Sequence, residues 1–319
     1  MRLSACETST PAVNNIEPLS VSYDEQNHTY QLQWQASAPQ QPVAIAVATS
    51  AARWLPLEGG RNFRDLGGYS TQNGQQVRWG KLFCSGAMTA LTEQNYQLLD
   101  TFDVATIVDF RSADERHSEP TEWSVDNARV LSWDYDMDMG AGGTFAEVFR
   151  QPELNAEKVE AAMALMYPDI LLSQQPHYRA MFDRLIQNDG ALVFNCTAGK
   201  DRTGIAAVLI LTALGVDRET VINDFMLSDL YYQQHPTSFI SPKAEDGDAK
   251  QQAMMAMFKR IPPEVLKPVK GGRESYIKAA IDSMEQQSGS VLAYIQQELD
   301  VDDQELQQLR KNFLQPAAE

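Results

Sequence analysis

The stretch that most constrains this 319-residue chain is 191–214. Ala191-Leu-Val-Phe194 is a short apolar run bounded by polar residues, the pattern of a buried strand. Asn195-Cys196-Thr197-Ala198-Gly199-Lys200-Asp201-Arg202-Thr203-Gly204 follows, and 205–214 is apolar almost all round, as a buried helix is. A strand that passes through a glycine-bearing loop into a helix leaves unpaired amides and partial positive charge at the helix start. Such junctions hold anions. Here a thiol stands at the entrance, with an arginine six positions on.

Around this junction strands and helices alternate. Val104-Ala-Thr-Ile-Val108-Asp109-Phe-Arg111 and 128–133 read as strands; 92–102, 157–167 and 178–186 carry helical spacing. The expected fold class is α/β, a central sheet flanked by helices. Val77-Arg-Trp79-Gly-Lys81-Leu-Phe83-Cys84 alternates as one further strand. Beyond the junction, Gly215 is placed to end the buried helix and Asp217 to cap the next. Ser275, Ser290 and Asp302 open three closing helices, the last with the Asp302/Glu305 spacing of a capping box.

Ahead of this body, 7–18 is polar with two prolines. The alternation at 19–23, 30–36 and 43–47 predicts a small antiparallel sheet. The domains expected are a linker or shortened signal region (1–18), a small β subdomain (19–56) and a catalytic domain (57–319). Residues 233–273, rich in proline and containing Met254-Met255-Ala-Met257-Phe258, form a candidate lid.

Composition narrows the function. A net charge of −17 repels polyanions and argues against a nucleic-acid surface. No segment approaches the roughly 20 apolar residues that span a bilayer. Three cysteines build no disulfide framework, and four scattered histidines show no metal-ligand spacing, so neither metal nor cofactor is expected. Leu3-Ser-Ala-Cys6 resembles the end of a lipoprotein signal without its apolar core, which slightly favours export over a cytoplasmic location. Membrane association is expected only if Cys6 is lipidated.

The loop states a chemistry. A free thiol, with a pKa near 8.5, is mostly protonated at neutral pH. A helix N-terminus with Lys200 and Arg202 nearby favours the thiolate, the competent nucleophile. The amides from Thr197 to Arg202 can converge as a nest on a dianion, and Arg202's planar fork can take two of its oxygens. Phosphoryl transfer asks for that alignment and charge, plus an acid for the leaving group. The nucleotide P-loop does not fit: Asp201 follows Lys200 where Ser or Thr is needed, and Phe194 replaces the first glycine.

Asn195-Cys-Thr-Ala-Gly-Lys-Asp-Arg-Thr-Gly204 resembles the signature loop of cysteine-dependent phosphatases, above all the bacterial tyrosine-phosphatase family with secreted mycobacterial and listerial members. Gly60-Arg-Asn62-Phe-Arg64-Asp65-Leu-Gly-Gly-Tyr69, Val108-Asp109-Phe-Arg111-Ser112 and Ser290-Val-Leu-Ala-Tyr294 resemble its other motifs in order, over about residues 57–316. The resemblance implies a metal-free cysteinyl-phosphate mechanism on phosphotyrosine, often extending to phosphoserine/threonine or phosphoinositides. Cys196 is then the nucleophile and Arg202 the phosphate ligand, with Thr197, Ala198, Gly199, Lys200 and Thr203 around the phosphate. Lys200 and Asp201 match a loop type associated with broad specificity, and 233–273 falls where some relatives carry a helical lid.

Two departures stand out. Asn195 replaces the usual histidine, and Cys84-Ser-Gly86 replaces Arg-Ser-Gly, leaving Cys84 as a packing substitute or a redox partner of Cys196. The general acid stays open among Asp201, the favoured candidate, Asp109, and the loop carrying Asp134, Asp136 and Asp138. The substrates expected are phosphorylated protein, with phospholipid or inositol phosphate as the alternative. A phosphate-binding pseudophosphatase or adaptor is the reading from outside enzymology.

Overall fold

The structure is a computed structural model. It describes residues 53–317 except 56, 122–127, 136–146, 150, 152, 189 and 237–259, and, ahead of these, only the backbone of three strands. The chain divides into two compact units, Met1–Ala52 and Arg53–Glu319.

In the first unit β1 (Ile16–Asp24), β2 (Thr29–Ala36) and β3 (Ile45–Ala46) form an antiparallel sheet in that order. β1 begins inside the stretch expected as linker, and Cys6 lies outside the described residues.

The second unit is built on a five-stranded sheet. Its strands are β4 (Arg64–Asp65), β6 (Leu82–Ser85), β7 (Val104–Asp109), β8 (Arg129–Ser132) and β9 (Ala191–Asn195), in the spatial order β4-β6-β9-β7-β8. β6, β9, β7 and β8 run parallel, and the short β4 is antiparallel to β6. The central β9 is buried along its whole length, as a parallel strand covered on both faces must be. The register sets Ser85, Asn195 and Asp109 in one row at the carboxyl edge, where open α/β sheets hold ligands.

The helices are α1 (Glu93–Asp100), α2 (Ala113–Ser118), α3 (Ala156–Gln187), α4 (Asp201–Leu214), α5 (Arg218–Gln234), α6 (Pro263–Lys270), α7 (Glu274–Ser288), α8 (Val291–Glu298) and α9 (Asp303–Phe313). α4 is the hub: every residue from Arg202 to Leu211 is buried. At Gly204 a Cβ would lie 2.7 Å from the Phe225 ring, so the glycine lets α4 and α5 approach closely. The local caps read from sequence are present. Gly215 ends α4 at φ 86°, Asp217 accepts from the Thr220 amide, and Asp302 and Glu305 complete a capping box.

Two expectations change. The strand expected at 77–84 is two strands, because Gly80 (φ 70°) turns the chain between β5 (Gln75–Val77) and β6. β5 pairs instead with the C-terminal β10 (Leu314–Pro316). The two helices expected at 157–167 and 178–186 are one, since α3 runs unbroken through Pro168 and Pro176. An interior proline loses one backbone hydrogen bond and clashes with the preceding turn. Here the buried face continues across both, through Tyr167, Ile170, Leu171, Gln174 and Tyr178. Packing therefore outweighs the local cost. Of the candidate lid, 237–259, with its methionines, lies outside the described residues; the end of α5, residues 235–236 and 260–273, with α6 among them, are described.

Candidate active site

Cys196 follows the last residue of β9, 1% exposed, its amide donating to Ser85 O at 3.3 Å. The loop from Thr197 to Lys200 then turns into α4. Gly199 takes φ 63°, and a Cβ there would lie 2.4 Å from the Gly86 nitrogen. Only glycine fits that approach.

Three carbonyls of the turn are held from outside. Thr197 O accepts from the Ala87 amide at 3.0 Å, Ala198 O from Tyr232 Oη at 2.6 Å, and Gly199 O from Asn62 Nδ2 at 2.9 Å. A trans peptide points its C=O and N–H in opposite directions. The next three amides, of Ala198, Gly199 and Lys200, are thereby turned to the other side of the loop, the arrangement of an anion nest.

This gives the Gly60–Tyr69 motif a physical role. Asn62 adopts φ 46°, which asparagine tolerates, and is tied by Ser228 Oγ (3.0 Å) and Trp54 Nε1 (3.4 Å). Arg64 forms a buried ion pair with Asp224 of α5 at 3.1 Å, and Asp65 accepts from the amides of Gly67 and Gly80, each at 2.7 Å. The motif thus grips the loop from behind and ties β4 to α5.

Arg202 is 4% exposed, and its donors can be accounted for one by one. Nη1 donates to Phe110 O at 2.9 Å, Glu115 Oε2 at 2.6 Å and Tyr135 Oη at 2.9 Å. Nη2 donates to Glu115 Oε1 at 2.7 Å and, weakly, to Thr197 Oγ1 at 3.4 Å. Nε is buried without a hydrogen-bond partner among the described residues. Burial works against the Arg202 cation, but the Glu115 charge and hydrogen bonds, with Cys196 nearby, hold its pKa well above the ordinary value.

Glu115 and Tyr135 are the site residues that the sequence reading leaves out. Glu115 had a legible signal: Ser112 and Glu115 have capping-box spacing, and the box is present at the start of α2. Ser112 N donates to Glu115 Oε2 at 2.8 Å, and Thr197 Oγ1 donates to Oε1, so the box aims the carboxylate at Arg202. Burial pushes the Glu115 carboxyl up, yet Arg202 and these hydrogen bonds outweigh it and bring its pKa down to about 2. Tyr135 had no signal; its hydroxyl donates to Phe110 O while receiving Arg202.

The other predicted residues divide. Thr203 lies buried in the first turn of α4, its Oγ1 3.5 Å from Ser85 O. Asp201, the first residue of α4, accepts from Tyr167 Oη at 2.5 Å and lies 3.6 Å from Lys200 Nζ. Lys200 itself is 1% exposed, and its ammonium donates to Val269 O at 2.7 Å and Gly271 O at 3.1 Å, at the C-terminal end of α6. That charge is committed to the helix end. Asp109 accepts from Arg111 on both oxygens and from Asn195 Nδ2 at 3.1 Å, so Arg111 and the residue before the cysteine are joined through one buried carboxylate. Asp134 pairs with Arg116 at 2.6 Å and is 88% exposed. Asp136 and Asp138 lie outside the described residues. Cys84 pairs in register with Phe194, its thiol 3.8 Å from Arg64 O and pushed up to about 12 by burial; both described cysteines are free.

Among the described residues no cluster of three His, Cys, Asp or Glu could hold a metal, and no helix is long and apolar enough to cross a membrane.

Fold and site together define an α/β protein whose cysteine and arginine share a tightly held loop at a parallel strand's carboxyl end. The profile of the tyrosine phosphatase family matches residues 55–315. The chain belongs to that family and is a hydrolase of the phosphatase type. It is 30% identical to a candidate tyrosine-protein phosphatase of Cupriavidus necator, over 88% of this chain and 94% of that one. A tyrosine-protein phosphatase of Nostoc commune is 28% identical over 69% of each chain. The triple specificity protein phosphatase PtpB of Mycobacterium tuberculosis is 24% identical over 77% of this chain and 93% of its own. Among solved structures, P. aeruginosa TpbA in complex with phosphotyrosine aligns at 18% identity over 56% of this chain and 81% of that one, with a TM-score of 0.24, too low to bear on the fold.

Proposed function

We propose that the protein hydrolyses phosphomonoesters, foremost protein phosphotyrosine, through a phosphocysteine intermediate on Cys196. The observation that carries this reading is the buried Nε of Arg202, unpartnered among the described residues. Glu115, Tyr135 and Phe110 O occupy the terminal nitrogens. The remaining donor would be costly to leave unmet unless an anion completes it.

In the first step the Cys196 thiolate attacks phosphorus, the P–O bond to the leaving group breaks, and the departing oxygen takes a proton from Asp201. In the second, water attacks the phosphocysteine, Asp201 accepts its proton, and the S–P bond breaks to return thiolate and inorganic phosphate. Arg202 Nε and the loop amides stabilise the equatorial oxygens throughout.

Asp201 is favoured as the acid because the rivals among the described residues are engaged elsewhere. Asp109 is a buried partner of Arg111 and Asn195, and Asp134 faces solvent on Arg116. The 1% exposure of Cys196 and 4% of Arg202 favour a phosphate on a long arm, as in phosphotyrosine. The relative named as a triple specificity phosphatase keeps lipid and phosphoserine/threonine substrates as the second reading. Lys200, committed to α6, offers little toward a second phosphate.

Cys196→Ser tests the mechanism. It is expected to abolish turnover of phosphotyrosine peptides while phosphate or vanadate binding survives; residual turnover above about one part in 10^4 overturns the covalent route.

A further inference from the structure

Tyr167 is one of the largest fully buried side chains, yet it projects its only polar atom at the active-site loop. It comes from the middle of α3, immediately before Pro168, where the helix continues against local preference. Its ring is fixed between Phe225 (centroids 6.1 Å apart, edge-on) and Tyr276 (5.5 Å). Its hydroxyl donates to Asp201 Oδ1 at 2.5 Å, and Lys200 Nζ approaches the same oxygen at 3.6 Å. Burial, and then the Asp201 carboxylate, push the Tyr167 hydroxyl well above its ordinary pKa, so it remains a donor.

Both contacts fall on Oδ1; among the described residues, none falls on Oδ2. In a carboxylic acid one oxygen accepts and the other carries the proton. An oxygen already receiving a hydroxyl and facing an ammonium is the acceptor. We propose that Tyr167 is a positioning residue for the proton donor: it holds Asp201 by Oδ1, so that Oδ2 delivers the proton to the leaving oxygen and later takes one from water. This rests on Asp201 being the general acid. Asp201 is only 24% exposed, so the tyrosine fixes a side chain at the rim of the loop from the enclosed side.

The test is Tyr167→Phe, which keeps the ring and removes the hydroxyl, measured beside Asp201→Asn. Each is assayed on aryl phosphates with good leaving groups and on phenyl or alkyl phosphates with poor ones, with vanadate affinity and melting temperature as controls. Asp201→Asn is expected to lose about 100-fold or more on poor leaving groups and far less on good ones. Tyr167→Phe is expected to lose about 10-fold on poor leaving groups, with good leaving groups and vanadate affinity nearly unchanged. Added to Asp201→Asn, it should cost nothing further. If Asp201→Asn shows the dependence and Tyr167→Phe loses equally on all substrates, or loses nothing, the positioning role is overturned while the acid stands. If Asp201→Asn shows no such dependence, the acid assignment falls and this inference with it.

Discussion

Two of the arginine–carboxylate pairs among the described residues make similar contacts and differ in purpose. Arg64 and Asp224 are 0% and 1% exposed in their side chains, and Arg202 and Glu115 are 5% and 25% exposed. In each pair burial opposes the arginine's charge and the carboxylate more than restores it. Each arginine also keeps one buried nitrogen without a partner among the described residues, Nη1 in Arg64 and Nε in Arg202. The surroundings separate them. Arg64 is enclosed with Tyr69, which donates to Asp224 at 2.8 Å, and with the neutral Cys84 thiol. Arg202 lies beside the loop's thiol, braced by a half-buried carboxylate and a half-buried tyrosine. A closed pair binds strand to helix. In the proposed mechanism, the pair braced on one edge presents the other to the phosphate.

Replacing each arginine by methionine breaks the comparison most sharply. Arg64→Met strands the buried Asp224 and is expected to cost about 3–5 kcal/mol of stability, read as a fall in melting temperature. Arg202→Met is expected to cost roughly 10^3-fold in kcat, with a smaller fall in melting temperature than Arg64→Met, because the partly exposed Glu115 can relax toward water. Two variants that lose stability alike would erase the distinction.

Lys200→Met comes next. Its ammonium satisfies carbonyls at the end of α6, so its loss is expected to cost about 1–3 kcal/mol. Activity on singly and multiply phosphorylated substrates should fall by the same factor. A selective loss on phosphoinositides would instead show Lys200 reading a second phosphate.

The smallest effect is expected from Glu115→Gln, about 10-fold in kcat/KM through a less firmly held Arg202. It also has a pH signature. The folded-state pKa of about 2 lies below the ordinary 4.5. The pair's stabilisation is therefore present above about pH 4.5 and fades as pH falls toward 2. Melts between pH 6 and pH 2.5 should lose that part of their pH dependence in the glutamine variant.

Much of this was legible in the sequence. The strand–loop–helix junction, the Gly215 end of α4 and the caps at Asp217 and Asp302 depend on groups a few residues apart, and local spacing states them. Glu115 was half legible: the capping box fixes which way the carboxylate can turn, but only the packing of α2 against the loop reveals that Arg202 waits there. Tyr135 could not be read at all, because its hydroxyl meets Arg202 across 67 residues.

The sequence by itself determined that a thiol and an arginine share one strand–loop–helix junction, because the backbone between Cys196 and Arg202 is too short to do otherwise. Tertiary structure decided what each charge does there. Asn62, from 137 residues away, turns the Gly199 carbonyl outward, and α6 takes up the Lys200 ammonium. An α3 that ignores its own prolines brings Tyr167 to Asp201. These outcomes depend on which long-range contacts bury the most surface at the least polar cost, and that balance exists only once the whole core has closed.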